Sequence, residues 1–370
     1  MGVKNSACAD LIAATLDDLP KQYFEVAWDN TGYEFCRIYQ KERMEIDGGE
    51  QITRVLMLDH TGNARYRRLY DTDAPNVQDV VTTIRVPWTQ IGTNYSWDKL
   101  EILRNKSNAK GFIKLMTLRR TDGLWSLANL IEERAWKTPT NSSDDLYPYG
   151  VPYYINMLTK GSTTAGFNGQ TIRYQDGSTG TTCAGLNAST AANAKWRNYA
   201  FTYSTIDNAL LKAFRLAFMR SKFRAPINLN DPSQKRNAAK RIYTHFDNVA
   251  ELMDLADSKD DFHRGKDVLG NLRVTEDGLV LINRLPVIPI DELEGATDPE
   301  QGTTTDPIYC VDFEKFIPYV QEGYWNEESE PMTDRGQHTT FTVFLDGSHN
   351  NLCTNRREAG FVGHKAIPSS

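Results

Sequence analysis

With 370 residues, 40% hydrophobic and 24% charged, the chain has the length for two or three domains and the apolar content for a real core, which excludes disorder over its bulk. The formal net charge of -6 lacks the basic footprint that a general nucleic-acid binder needs. Cys8, Cys36, Cys183, Cys310 and Cys353 are odd in number and never spaced C-x-x-C, which excludes a disulfide framework or a zinc ribbon and fits reduced thiols.

No basic-then-apolar leader opens the chain, and no run reaches the ~18 apolar residues of a membrane span. The opening Met1-Gly2-Val3-Lys4-Asn5-Ser6 matches a myristoylation pattern only formally. Cys8, Leu11, Ile12, Leu16 and Leu19 then fall near helical spacing, and Pro20 stops the pattern. An aromatic extended stretch follows, through Tyr23, Phe24, Val26, Trp28, Tyr33, Phe35 and Ile38. It needs a surface to lie against, either the chain's own core or a neighbouring subunit.

Residues 40–75 read as a long hairpin with turns at Asp47-Gly48-Gly49 and Thr61-Gly62-Asn63. Ile52, Arg54, Leu56 and Leu58 alternate with Thr53, Val55, Met57 and Asp59. Beyond the second turn Arg65, Arg67 and Arg68 interleave with Tyr66, Leu69 and Tyr70. A hairpin of such mixed polarity is either an arm that packs partly on another surface or an ordinary exposed hairpin. Residues 80–98 are strand-like, with Val80, Val81, Ile84, Val86 and Trp88 ahead of Gly92.

The strongest helix is predicted over 111–136, where Phe112, Leu115, Met116, Leu124, Leu127, Ala128, Ile131 and Ala135 form one apolar face and Pro139 ends the run. At 1.5 Å per residue it makes a rod of about 39 Å. From Gly161 to Asn193 the chain turns to Gly, Ser, Thr, Ala and Asn, and reads as loops and short strands on a surface. A second helix is predicted over 206–223. A short strand begins at Ile242-Tyr243, and Asp247 reads as the N-cap of a third helix. Strands follow at Leu279–Ile282, after an Asp277-Gly278 turn, and at Val287-Ile288. No basic residue lies between Arg284 and Lys315, while Asp291, Glu292, Glu294, Asp298, Glu300 and Asp306 do, so this window reads as an acidic exposed connection and a domain boundary. Strands return at Ile308–Val311, Thr339–Leu345, Leu352–Asn355 and Phe361–His364. The mixture is α+β, without internal repeats.

Motifs that carry chemistry are missing. There is no P-loop, no G-x-S-x-G elbow and no H-E-x-x-H helix. His263 after Asp260-Asp261 and His349 after Asp346-Gly347-Ser348 sit in turn-like polar segments and read as solvated histidines rather than metal ligands or catalytic bases. Glu327-Glu328 beside Tyr324-Trp325 is the best carboxylate pair for work on a sugar, but adjacent strand residues face opposite ways, so it reads as a solvated charged turn before Pro331. No catalytic, cofactor or metal residue is assigned. Arg65, Arg67 and Arg68 suit either phosphate or acidic side chains of another subunit, and the acidic 291–306 window favours the latter.

The order of these features, with the strings Leu118-Arg119-Arg120-Thr121-Asp122-Gly123-Leu124-Trp125-Ser126-Leu127-Ala128 and Leu130-Ile131-Glu132-Glu133-Arg134-Ala135-Trp136, resembles the major capsid proteins of tailed bacteriophages. So does the tail, with Phe341-Thr342-Val343-Phe344-Leu345-Asp346-Gly347, Asn355-Arg356-Arg357 and Ala359-Gly360-Phe361. The resemblance covers nearly the whole chain and implies the Hong Kong 97-like fold. Its implied domains are an N-terminal arm (1–39), an extended β-hairpin loop (40–75), a peripheral domain with the spine helix at 111–136 (76–150), an axial domain (151–305), return strands of the peripheral domain (306–354) and a C-terminal strand of the axial domain (355–370).

The resemblance implies a non-enzymatic subunit that assembles with itself into pentamers and hexamers and then an icosahedral shell around double-stranded DNA. That DNA is contacted weakly and without sequence specificity. Implied partners are a scaffolding protein, a portal and a decoration protein, with no membrane and no cofactor. The implied location is the virion, assembled in the host bacterial cytoplasm. Arg54, Arg65, Tyr66, Arg67, Arg68 and Tyr70 are the expected inter-subunit contacts. Some members cross-link a lysine of the extended loop to a neighbour's asparagine, but no lysine occurs here between Lys41 and Lys99. Others carry a helical scaffold segment at the N-terminus. The arm here is too short for one, so scaffolding is expected from a separate protein. The alternatives are an encapsulin-like nanocompartment, which shares the fold, and a carbohydrate-binding or carbohydrate-active protein, suggested by seven Trp, seventeen Tyr and the Gly/Ser/Thr-rich loops.

Overall fold

The computed structural model describes residues 32–58, 62–72, 80–104, 109–222, 239–260, 272–274, 278–283, 285–334 and 336–369. The helix expected at 8–19, the aromatic stretch up to residue 31, Thr61, His263 and Asp277 lie outside these residues.

In chain order the elements used below are α1 (Glu34–Lys41), β1 (Met44–Ile46), β2 (Gln51–Met57), β3 (Val81–Pro87), β4 (Thr89–Asp98), α2 (Ala109–Ala135), β5 (Gly166–Gly169), β6 (Asn198–Tyr203) and α3 (Asn208–Arg220). They continue with β7 (Lys240–Thr244), α4 (Phe246–Asp260), β8 (Leu272–Val274), β9 (Val280–Ile282), β10 (Leu285–Pro289), β11 (Ile308–Asp312), β12 (Phe316–Gln321), β13 (Gln337–Cys353) and β14 (Gly360–Lys365).

Eight strands form one mixed sheet in the order β8-β9-β10-β7-β11-β14-β6-β5. Its central strands are apolar on both faces, as a sheet covered on both sides requires. Alternation sends Tyr243, Tyr309, Val311, Ala200 and Val362 into one core, and Ile242, Ile308, Cys310, Phe201 and Phe361 into the other. Over the second face lies α3. Its Asp207 cap accepts from Ala209 N at 2.9 Å and Leu210 N at 3.0 Å, and Leu210, Leu211, Phe214, Ala217 and Phe218 pack inward. At Gly360 a Cβ would stand 2.0 Å from Cys310 O, so only glycine lets β14 lie this close to β11.

The second sheet is organised by β13, seventeen residues long. Its His349–Cys353 end pairs with β12, and Thr340–His349 pairs with β4. The long helix predicted over 111–136 is α2, of 27 residues. Its C-terminal end enters the first core through Ile131, Ala135 and Trp136.

Four local expectations change. The hairpin is built from β2 and β3, with Gln51 opposite Pro87 and Met57 opposite Val81, so its return strand lies beyond residue 75, while β1 runs parallel to β12. Phe35 and Ile38 are helical rather than extended, because Phe35, Ile38 and Tyr39 are spaced for one helical face and fill the first core. Asp247 sits in the first turn of α4, not at its N-cap, where its charge still matches the helix dipole. The acidic window is packed rather than exposed throughout: Leu293, Asp298 and Asp306 are buried, and Asp298 Oδ1 meets Arg173 Nε at 2.6 Å.

Two electrostatic clamps hold α1. Glu132, fully buried on α2, accepts Phe35 N at 2.7 Å and Trp136 Nε1 at 2.9 Å. Arg241 of β7, also buried, reaches Glu34 at 3.3 Å and Glu42 at 2.5 Å. Burial pushes the Glu132 carboxyl up to about 7, although both hydrogen bonds favour its charged form.

Candidate assembly surface

The two faces of the β2–β3 hairpin do different things. Ile52, Ile84 and Val86 point down and are buried in the first core. Cross-strand partners share a face, so Val55 and Met57 stand with Thr83 and Val81 on the other. Val55, Met57 and Val81 are each more than half exposed, an apolar stripe on an outward face. The base of the hairpin is fixed by Trp88 Nε1 donating to Gly49 O at 2.9 Å and by Asn350 Nδ2 donating to Pro87 O at 2.8 Å.

Residues 62–72 lie between the two hairpin strands in sequence. Here Tyr66 is 107%, Tyr70 100% and Leu69 86% exposed. Arg65, Arg67 and Arg68 are exposed around them. Arg65 Nη2 donates to Thr72 O and closes the segment on itself. Tyr70 adopts a left-handed backbone, φ 67°, within a turn.

Five of the six expected contact residues thus share one eleven-residue segment. Arg54 does not join them. It sits on β2, with its guanidinium 5.4 Å over the Tyr319 ring and its Nη2 3.4 Å from the Tyr319 hydroxyl. Its cationic head is already placed against the chain's own β12. The outer stripe of Val55, Met57 and Val81 was missed. Its signal was available, since β2 carries apolar residues in both phases of the alternation, of which the first core takes only the Ile52 phase.

The residues considered for chemistry are placed structurally. Glu327-Glu328 is exposed, as expected, but forms a two-residue strand on β13 rather than a turn. Glu328 accepts from the Tyr95 hydroxyl and pairs with Arg120 at 3.1 Å, and Arg120 holds its carboxyl below the ordinary range. His349 lies inside β13, and not in a turn. It is buried against Tyr39 and Trp325, and burial pulls it down to about 4. His364 is likewise buried and lowered to about 4, and its Nε2 accepts from Leu158 N at 3.0 Å. Both imidazoles are neutral packing elements at neutral pH.

No family model matches the chain, and no curated protein matches it in sequence. Solved structures do match. The capsid asymmetric unit of cyanophage A-1(L) has a TM-score of 0.60 at 12% identity, over 95% of this chain and 97% of that one. The capsid of Myoviridae phage XM1 has a TM-score of 0.50 at 9% identity, over 95% and 98%. The capsid of a native GTA particle has a TM-score of 0.50 at 8% identity, over 96% and 98%. The α+β capsid fold expected from the sequence is the fold of the chain.

Proposed function

We propose that the chain is the major capsid protein of a tailed bacteriophage, a shell subunit without catalytic role. Copies assemble into pentamers and hexamers and close an icosahedral shell around double-stranded DNA, which the acidic subunit contacts weakly. The observation that carries this reading is exposure: a chain with a capsid fold presents Val55, Met57 and Val81 of the β2–β3 hairpin, and Tyr66, Leu69 and Tyr70 of the segment between its strands, to solvent. Large apolar side chains grouped in solvent mark an interaction site.

On this reading the hairpin lies across a neighbour, and Arg65, Tyr66, Arg67, Arg68 and Tyr70 make contact there, with Arg54 supporting from the stem. The long helix is the spine of the peripheral domain, residues 151–305 form the axial domain, 306–354 return to the peripheral domain and 355–370 close the axial sheet. Many modest contacts repeated by symmetry hold the shell, because each subunit engages several neighbours at once. A scaffolding protein, a portal and a decoration protein complete the assembly, which forms in the bacterial cytoplasm and persists in the virion.

The test is light scattering and nuclease protection on the expressed protein, alone and with candidate scaffold. Uniform particles that protect DNA in infected cells support the reading. Uniform particles filled with a protein cargo point to a nanocompartment instead, and a glycan-binding monomer rejects both.

A further inference from the structure

At one end of the eight-stranded sheet is a cleft of about 540 Å³ that the shell reading leaves unused. The ends of β6, β7 and β14 meet there with the first turns of α4 and the loop before β11. His245, Asp247, Glu251, Glu294, Asp306 and Lys365 line it. His245 is 5% exposed, and neither of its ring nitrogens has a hydrogen-bond partner among the described residues. Its Nε2 stands 3.6 Å from Asp306 Oδ1, beyond hydrogen-bond reach. Asp306 is fixed in place: Lys365 Nζ meets its Oδ2 at 2.5 Å, and the Tyr203 hydroxyl donates to its carbonyl at 2.5 Å.

The charge of the cleft is lopsided. The start of α4 would draw an anion, but Asp247 in its first turn already supplies one. Glu251, Glu294 and Asp306 then face a single lysine. Among the described residues no three His, Cys, Asp or Glu side chains converge as metal ligands. The volume instead falls within the roughly 300–1,000 Å³ of sites for organic ligands.

We propose that this cleft binds an organic cation, an alkylammonium or guanidinium group. The Glu251, Glu294 and Asp306 carboxylates supply the negative charge around it, and a ring nitrogen of His245 that has no hydrogen-bond partner among the described residues accepts one of its N–H groups. Two sources offer that chemistry: a free polyamine, or a basic side chain of another copy such as those of residues 62–72. The proposal stands independently of the shell reading.

The experiment is calorimetric titration of the full-length protein with spermidine and, separately, with a synthetic peptide of residues 62–72. The same titrations are run on Glu251→Gln/Glu294→Gln, both exposed positions, and on Glu50→Gln/Glu322→Gln as a control for diffuse charge. The expected result is saturable binding of at least one probe, weakened tenfold or more by Glu251→Gln/Glu294→Gln and unchanged by the control, with equal unfolding midpoints. Spermidine binding alone identifies a free polyamine as the ligand, and peptide binding that spermidine displaces identifies a second copy. No binding of either probe, or equal weakening by both double variants, overturns the proposal.

Discussion

Replacing Glu132 by glutamine isolates the junction between α1 and the long helix. The carboxyl titrates at about 7 in the folded chain against an ordinary 4.5, chiefly because it is buried. Between those values the folded chain holds a proton that the unfolded chain has lost, so unfolding releases it and rising pH favours unfolding. The benefit is fully present below pH 4.5 and gone above pH 7, and at ~1.4 kcal/mol per pH unit it amounts to about 3 kcal/mol. Glutamine never ionises, so this pH dependence disappears. It accepts from only one of Phe35 N and Trp136 Nε1 and leaves the other donor unmatched, a cost of about 1–3 kcal/mol. The variant is therefore expected to be less stable at pH 5 and to equal or exceed the parent at pH 8. His349 and His364, both lowered to about 4 from 6.5, oppose this trend, because their neutral burial is lost as pH falls from 6.5 toward 4. They are present in both proteins, so the difference between the two urea-unfolding series from pH 5 to 8 isolates Glu132. An identical pH slope in parent and variant would refute the reasoning.

Arg241→Ala leaves buried Glu34 with Arg37 and the Tyr243 hydroxyl and removes a partner from half-buried Glu42, so it is expected to cost about 1.5–3 kcal/mol, read from the urea midpoint. Gly360→Ala drives a methyl into Cys310 O and is expected to yield insoluble protein, whereas alanine at solvent-facing Thr83 leaves the yield unchanged. Arg65→Glu/Arg67→Glu/Arg68→Glu is expected to abolish particles, scored by sedimentation, while the exposed sites keep subunit stability within ~0.5 kcal/mol of the parent. Val55→Ser/Met57→Ser is expected to weaken assembly with the same small effect on the subunit, since both side chains face solvent within it.

Elements whose spacing matches a single buried face were legible. Ile131 and Ala135 of α2 and the Leu210-Phe214-Ala217 stripe of α3 are buried where their periodicity puts them, while the continuous apolar run Ile308–Val311 is a strand buried on both faces. What failed depended on partners distant in sequence. The return strand of the hairpin pairs across more than twenty residues, and no local signal names it. Asp346-Gly347-Ser348-His349 has turn composition, yet β4 pairs with all four residues and β12 with His349, which holds them in β13. Asp298 looked solvated because Arg173, 125 positions away, is invisible to a local reading. In segment 62–72, Tyr66, Leu69 and Tyr70 are interleaved with arginines in no core-facing pattern, and the fold leaves all three exposed.

The most direct test of the central claim is electron cryomicroscopy of the assembled particle, with the 51–87 hairpin traced in its density. The expected result is a closed icosahedral shell in which the hairpin crosses a neighbouring subunit and buries Tyr66, Leu69 and Tyr70 against it. A shell in which the hairpin stays on its own subunit, with those three side chains still in solvent, would contradict it.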